Sequence, residues 1–377
     1  MARLIFASTR DSDMHYAVKT PITSSIFHLE IGKKKILFLD KVDFGIIPSS
    51  AGVKSVLLNP LSDEARKLNF KTSDRNKLVY YLLKKYKLLK SEIEVPIHFP
   101  LDIADFLRKK GVKLTPTYPF FPQRAKKTKR EIGYVKESLL HTKLAFKTIE
   151  NILKKSRIEG NKIIFRNKIL SSEFLKQEAE KALIEKGMFD LLGMIISSGE
   201  QTAIPHHDGT GPIMPREPII CDIFPRHRKS GYFADMTRTY VKGKPTEKII
   251  KMYNAVLMTQ KAAFKKIRAG VSAKQIYHAA ADSIIKSGFH VGEKGFIHGL
   301  GHGVGLDIHE KPSLKADSRD ILENGNIITI EPCLYYPKAG LHRRRGKACG
   351  IRIEDMILVT KAGYKNLTNY PKKFIIP

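Results

Sequence analysis

Short apolar runs alternate with stretches of helical spacing along the first 120 or so residues. Residues 4–7, 25–29, 35–40 and 54–58 read as strands, rich in Ile, Leu, Val and Phe and bounded by Gly, Lys or Pro. Residues 74–86 take helix spacing behind a capping Ser73 or Asp74. Residues 94–97 form a brief strand, and 101–110 a second helix that Gly111 stops. The pattern predicts a small α/β domain over residues 1–122. Residues 115–129 hold three prolines and then a basic run, which predicts an extended connection to a second domain, 123–377.

The second domain opens on a long amphipathic helix, 130–155, with Ile132, Val135, Leu139, Leu140, Leu144 and Ile149 close to a 3.6-residue period. After an excursion over 161–170, Ser171 or Ser172 caps a helix that ends at Gly187. Strands are then expected at 188–197, 219–224, 231–241, 326–335 and 350–360, with helices at 246–267 and 272–287 between them. This is an α+β order, without a fixed-period repeat.

Composition narrows the function classes. No window approaches the roughly 18 apolar residues a membrane span needs, and the N-terminus has too short an apolar run for a signal peptide, so a soluble, cytoplasmic protein is expected. Cys221, Cys333 and Cys349 show no CxxC spacing, so neither a disulfide framework nor a zinc knuckle is indicated. The net charge of +30 raises the question of nucleic acid. The cations are spread along the chain, with clumps such as Lys33, Lys34 and Lys35 or Arg343, Arg344 and Arg345, and a solvated lysine-rich surface is the favoured reading.

Chemistry concentrates in the C-terminal half. A hairpin over 219–241 brings Asp222 and Asp235 together, and two carboxylates so placed repel unless a cation sits between them. A pair of surface aspartates near a turn is the plainer alternative, but Asp222 stands in an apolar run where an unpartnered carboxylate is costly. Next comes a glycine-spaced segment with His298, His302 and His309 within twelve positions. Its glycines argue against a helix and allow close backbone approach to a ligand. If the segment is extended, His298 and His302 face one way and His309 needs a bend to join them. Glu331 and Glu354 each stand inside a strand of Ile and Val. An ion pair with Arg352 is the plainer reading of Glu354; a metal explains both glutamates at once. Four carboxylates and an imidazole suit a pair of divalent cations.

These residues resemble the pita-bread-fold metallopeptidases, in the branch of aminopeptidase P, prolidase and creatinase. The matching stretches are SerGlyGluGlnThrAlaIleProHisHis (198–207), AspMetThrArgThr (235–239), HisGlyLeuGlyHisGlyValGlyLeuAspIleHisGlu (298–310), IleThrIleGluPro (328–332) and GlyIleArgIleGluAsp (350–355). The resemblance implies a creatinase-like α/β N-terminal domain followed by an α+β pita-bread catalytic domain. It implies that Asp222 chelates one metal, that His302 and Glu331 bind the other, and that Asp235 and Glu354 bridge them. A metal-bridging hydroxide would be the nucleophile, with Glu331 as proton shuttle. His206, His298 and His309 would line the substrate site, His309 holding the scissile carbonyl, and Arg352 would orient Glu354.

Manganese is the favoured metal, with cobalt, iron or zinc as alternatives. The implied activity is hydrolysis of the bond between an N-terminal residue and proline in short peptides, by a homodimer. Two departures stand out. Asp222-Ile-Phe224 replaces the usual Asp-x-Gly, with Asp222 and Asp235 thirteen positions apart, two more than is common; and Cys333 replaces a glycine after Glu331-Pro332. Cys221 and Cys333 are read as inert buried thiols or as points of oxidative or soft-metal inhibition. A creatinase-like C–N hydrolase, or a noncatalytic platform for protein or nucleic acid, are the alternatives, and the complete ligand set argues against both.

Overall fold

The computed structural model describes residues 2–48, 52–58, 61, 75–337 and 348–377, in two compact units, Met1–Arg124 and Ala125–Pro377. Ser73, Asp74 and the Arg343, Arg344, Arg345 clump lie outside the described residues. Among those described, no helix is long and apolar enough to cross a membrane.

The first unit is a mixed sheet of β1 (Ala2–Ala7), β2 (Ile26–Ile31), β3 (Lys34–Leu39), β4 (Lys54–Leu57), β5 (Glu92–Pro96) and β6 (Lys113–Thr117), in the order β4-β3-β2-β1-β5-β6. Helices α1 (Ser12–Val18), α2 (Arg75–Lys85) and α3 (Leu101–Lys109) accompany it. Helix α1 escaped the periodicity because it is only two turns long; the Asp11 side chain caps it by accepting from the Met14 amide. The connection expected over 115–129 is corrected here. Its first residues continue β6, paired in parallel with β5, and Phe120 and Phe121 are each 2 % exposed in the apolar cluster with Met14 and Leu37. Burying two phenylalanines outweighs the loop signal of the prolines that flank them.

The second unit opens on α4 (Lys129–Lys155), started by a reciprocal capping box between Thr128 and Glu131. The excursion after it is a small antiparallel sheet of β7 (Arg157–Glu159), β8 (Lys162–Phe165) and β9 (Lys168–Ile169). Helix α5 (Ser172–Ile184) follows, capped by Ser171. The strand expected over 188–197 is two pieces in different sheets, β10 (Met188–Phe189) and β11 (Ile195–Ser198), because Asp190 accepts from the amides of Gly193 and Met194 and turns the chain between them.

Two hairpins dominate what remains. In one, β12 (Pro218–Ile223) and β14 (Met236–Lys242) pair antiparallel, with β13 (Arg226–His227) in the long turn between them; the strand expected from 231 begins only at Met236. The turn absorbs the two extra residues between Asp222 and Asp235. After α6 (Glu247–Phe264) and α7 (Ala273–Lys286) come β15 (Gly301–Gly303) and β16 (Glu310–Leu314), and then the second hairpin. It was expected as two unbroken strands, 326–335 and 350–360, and is corrected to four. These are β17 (Ile327–Ile330) and β18 (Cys333–Tyr336) going out, β19 (Cys349–Arg352) and β20 (Asp355–Val359) returning. The register is the same on both sides of the break. Ile330 opposes Asp355 before it and Cys333 opposes Arg352 after it, so Glu331 and Glu354 fall opposite each other at the interruption. Pro332, which has no N–H for a ladder, stands at that break. Strands β21 (Tyr364–Asn366) and β22 (Ile375–Ile376) complete the sheets β16-β15-β17-β20-β21 and β11-β12-β14-β22. Helices α6 and α7 share one apolar core with the second hairpin, and α4 and α5 share another with the first.

In the first unit, His28 is 1 % exposed, opposite Ile5 and Leu37, and neither ring nitrogen has a hydrogen-bond partner among the described residues. Burial, with the charges of Lys35 and Arg3 added, pulls its pKa from 6.5 down to about 4. The unfolded chain therefore binds the proton first, and this contribution to stability is complete above pH 6.5 and lost as pH falls toward about 4. The loss amounts to about 3 kcal/mol at most. Denaturant unfolding followed from pH 7 to pH 4 is expected to show that decline, and His28→Phe to flatten it. An unchanged slope in the variant would assign the acid sensitivity to other groups.

Candidate metal centre

Asp235, Glu331 and Glu354 stand where a strand begins or breaks, whereas Asp222 and His302 lie within strands. Asp222 lies in β12 opposite Thr237, and Asp235 precedes β14, so Asp235 and Thr237 share a face of the hairpin. Glu331 and Glu354 occupy the interruption of the second hairpin, and not strand interiors as the sequence suggested. Each still anchors its backbone: the Glu331 amide donates to Leu300 O and the Glu354 amide to Thr237 O. The second bond joins the two hairpins at the site itself.

His302 arrives on β15, between β16 and β17. The flanking glycines are needed for close approach rather than for unusual torsion. A Cβ on Gly301 would lie 2.0 Å from Thr329 O, and one on Gly303 would lie 2.3 Å from Lys311 O. The turn after β15 supplies the bend that His309 required, and the rings of His302 and His309 meet edge to face with centroids 4.2 Å apart. That turn is fixed from behind, because Glu310 takes an ion pair from Lys127, whose side chain is 1 % exposed.

The convergence is tight for three groups. Ligand atoms of Asp235, His302 and Glu354 all lie within 4.8 Å of one another. Glu331 joins through His302, with 3.3 Å between Oε1 and Nε2, while Asp235 Oδ2 is 3.7 Å from the same nitrogen. The Thr329 hydroxyl accepts from the His302 amide and donates to Glu331. His302 Nδ1 faces the Gly303 carbonyl at 3.2 Å and must donate to it, which leaves the Nε2 lone pair of the neutral ring turned toward the carboxylates.

Asp222 completes the group from the side. Its Oδ2 accepts from Arg352 Nη2, while its buried Oδ1 has no partner among the described residues. Arg352, expected to orient Glu354, makes no direct bond to it among the described residues. The guanidinium bonds Asp222, the Tyr335 hydroxyl, Pro205 O and the Thr237 hydroxyl. Thr237 in turn donates to Glu354 Oε2 at 2.9 Å, so Arg352 reaches Glu354 through Thr237. Thr237 and Thr329 were missed in the sequence. Both stand two positions from a carboxylate along an extended chain, so shared-face parity was a usable signal for them.

The electrostatics follow from crowding carboxylates away from water. Burial, then the charges of Asp222 and Glu331, hold Asp235 well above the usual carboxylate range; burial, then Asp235, Glu331 and Asp222, do the same to Glu354. Burial would also raise Glu331, but the hydrogen bond and charge of His302 outweigh it and bring Glu331 down to about 2. Burial would lower His302; Glu331 and Asp235 raise it to about 9. The residues present fit divalent cations: an orphaned carboxylate oxygen, two carboxyls that resist ionising together, and an imidazole with its Nε2 turned inward.

The remaining expected residues lie around this centre. His298 is half-buried, with Nδ1 on Gly299 O at 2.7 Å. His309 is exposed, as is His206 in the turn after Gly199–Ala203. Burial and the charge of His206 are among the causes that lower both His298 and His309, so the three histidines share one electrostatic neighbourhood. Cys221 and Cys333 are fully buried, and burial pushes both thiols far above their ordinary range, so neither is a thiolate.

Known proteins place this arrangement. The profile of metallopeptidase family M24 matches residues 136–361, more than half of the chain. The chain is 38% identical over 192 residues to an Xaa-Pro dipeptidase of Pyrococcus horikoshii, covering 51% of this chain and 50% of that one. It is 36% identical over 197 residues to an Xaa-Pro dipeptidase of Lactobacillus helveticus, covering 52% and 50%. These alignments thus span about half the length of the curated relatives. The solved prolidase of Pyrococcus horikoshii superposes with a TM-score of 0.76 at 25% identity, covering 99% of this chain and 95% of that one. With the ligand-bearing hairpins inside the matched region, the chain belongs to metallopeptidase family M24.

Proposed function

We propose that the protein is an exopeptidase that uses two divalent metal ions to hydrolyse the bond between an N-terminal residue and proline in short peptides. The observation that carries this reading is the convergence of Asp235, Glu354 and His302, with the free Oδ1 of Asp222 on one side and Glu331 on the other. Asp222 would hold one cation, His302 and Glu331 the other, with Asp235 and Glu354 shared. Cations bound there polarise a peptide carbonyl and acidify water at neutral pH. The carboxylate-rich donor set favours manganese.

The chain's own groups supply the rest. Glu331, which meets His302 Nε2 at 3.3 Å, is the carboxylate able to take a proton from water and pass it to the leaving proline nitrogen. His309, edge to face with His302 and with its pKa lowered from 6.5, can donate a hydrogen bond to the scissile carbonyl. His298 and His206 line the approach. A homodimer in the cytoplasm belongs to the same proposal, supported by the family resemblance and by three cysteines that form no disulfide.

Two outcomes test the reading. Chelator-stripped protein titrated with manganese at pH 7 is expected to release protons, because His302, raised to about 9, must surrender its proton to bind. Calorimetric heats would then differ between buffers of different ionisation enthalpy, and buffer-independent heats would count against a site built from these groups. Hydrolysis of Xaa-Pro dipeptides and an Xaa-Pro-Xaa tripeptide should appear only after manganese is added, and Glu331→Gln should lower kcat by roughly 10²–10⁴. Metal-loaded protein that leaves every Xaa-Pro peptide intact would refute the peptidase assignment.

A further inference from the structure

Gln260 lies on the inner face of α6 and is 1 % exposed, within a turn of Val256 and Ala263, which are fully buried in the apolar core against the second hairpin. A primary amide in such a place costs stability unless its hydrogen bonds are made. Both bonds of its amino group go to the same feature. Nε2 donates to Ile330 O at 2.9 Å and to Ile353 O at 3.4 Å. Ile330 immediately precedes Glu331, and Ile353 immediately precedes Glu354. These carbonyls stand on the two sides of the interruption, where the strand-to-strand ladder between the Ile330/Asp355 and Cys333/Arg352 pairs is reduced to one long bond, Ile353 N–H to Pro332 O at 3.4 Å. An NH₂ group has two protons, and here each is spent on one edge of the break. The amide orientation is fixed by chemistry, since two carbonyls cannot face the oxygen of the amide.

We infer that Gln260 is a positioning residue that sets the separation of Glu331 and Glu354 by clamping the two strand breaks that present them. The inference rests on the proposed metal centre and adds a determinant outside its donor set. It touches neither carboxylate and acts on backbone alone, so its loss should loosen both ligands together. Supporting hydrogen bonds of this kind typically alter metal affinity by about 10- to 100-fold.

The test compares manganese binding by calorimetry on chelator-stripped protein for the wild type, Gln260→Met and Thr259→Val. Methionine keeps the volume and removes both donors. Thr259 is equally buried on the same helix but bonds Ser283 Oγ on α7, away from the breaks, so its variant reports the cost of disturbing the helix alone. The expected result is a 10- to 100-fold weaker affinity for Gln260→Met and wild-type affinity for Thr259→Val, with both showing cooperative thermal unfolding. Wild-type affinity and stoichiometry in Gln260→Met, or an equal loss in Thr259→Val, would overturn the inference. If the methionine variant does not fold, Gln260→Asn replaces it; the amide is kept but withdrawn by one methylene, and the same weakening is expected. Absence of manganese binding by the wild type would instead refute the proposed metal centre, which keeps the two failures apart.

Discussion

The structure depends on one electrostatic constraint. Asp222, Asp235, Glu331 and Glu354 are gathered where water is largely excluded, and four carboxylates in such a place cannot all be ionised without positive charge among them. The metal-free protein meets this with what it has. Arg352 neutralises Asp222, a protonated His302 pairs with Glu331, and Asp235 and Glu354 are driven toward their neutral forms. The orphaned Oδ1 of Asp222 shows the arrangement to be incomplete. Divalent cations satisfy the same constraint more fully, which is why the donor set reads as a metal centre and not as a buried ion-pair network.

Much of the second unit serves to hold those charges together. Two hairpins each deliver two carboxylates, and they are joined at the site by the Glu354 amide on Thr237 O and by the reciprocal bonds between the Thr239 hydroxyl and the Arg352 backbone. Arg238, 1 % exposed, ties the same seam from behind, donating to Glu354 O, Thr237 O and the Asp355 carboxylate. A ligand set drawn from separate strands keeps its spacing only if the backbone at each strand end is fixed. Interrupting the second hairpin without slipping its register achieves this, since Glu331 and Glu354 stay opposite each other while leaving the ladder.

The candidate carboxylates and histidines and their order stood out in the sequence because chemistry-bearing side chains in apolar strands are conspicuous. The long helix was legible from its period, while the capping box of Thr128 and Glu131 that starts it was not read. What escaped was decided by tertiary contacts. The strand breaks at Glu331 and Glu354 looked like continuous strands because Ile-rich flanks fit a strand equally well; only pairing with different neighbours separates β17 from β18. Phe120 and Phe121 were read as part of a connection because nothing local reveals the core that receives them. Arg352 shares parity with Glu354, yet parity specifies a face and not a partner, and the guanidinium bonds Asp222. Gln260 gave no signal, since a glutamine on an apolar helix face has no meaning until the carbonyls opposite it are known.

The measurement that bears most directly on the central claim is anomalous diffraction at the manganese edge from crystals of chelator-stripped protein reloaded with manganese. The account predicts two anomalous peaks in the cluster, one beside Asp222 and one beside His302 and Glu331, with Asp235 and Glu354 between them. A single peak, or none, with Asp222 still held by Arg352 alone would contradict it.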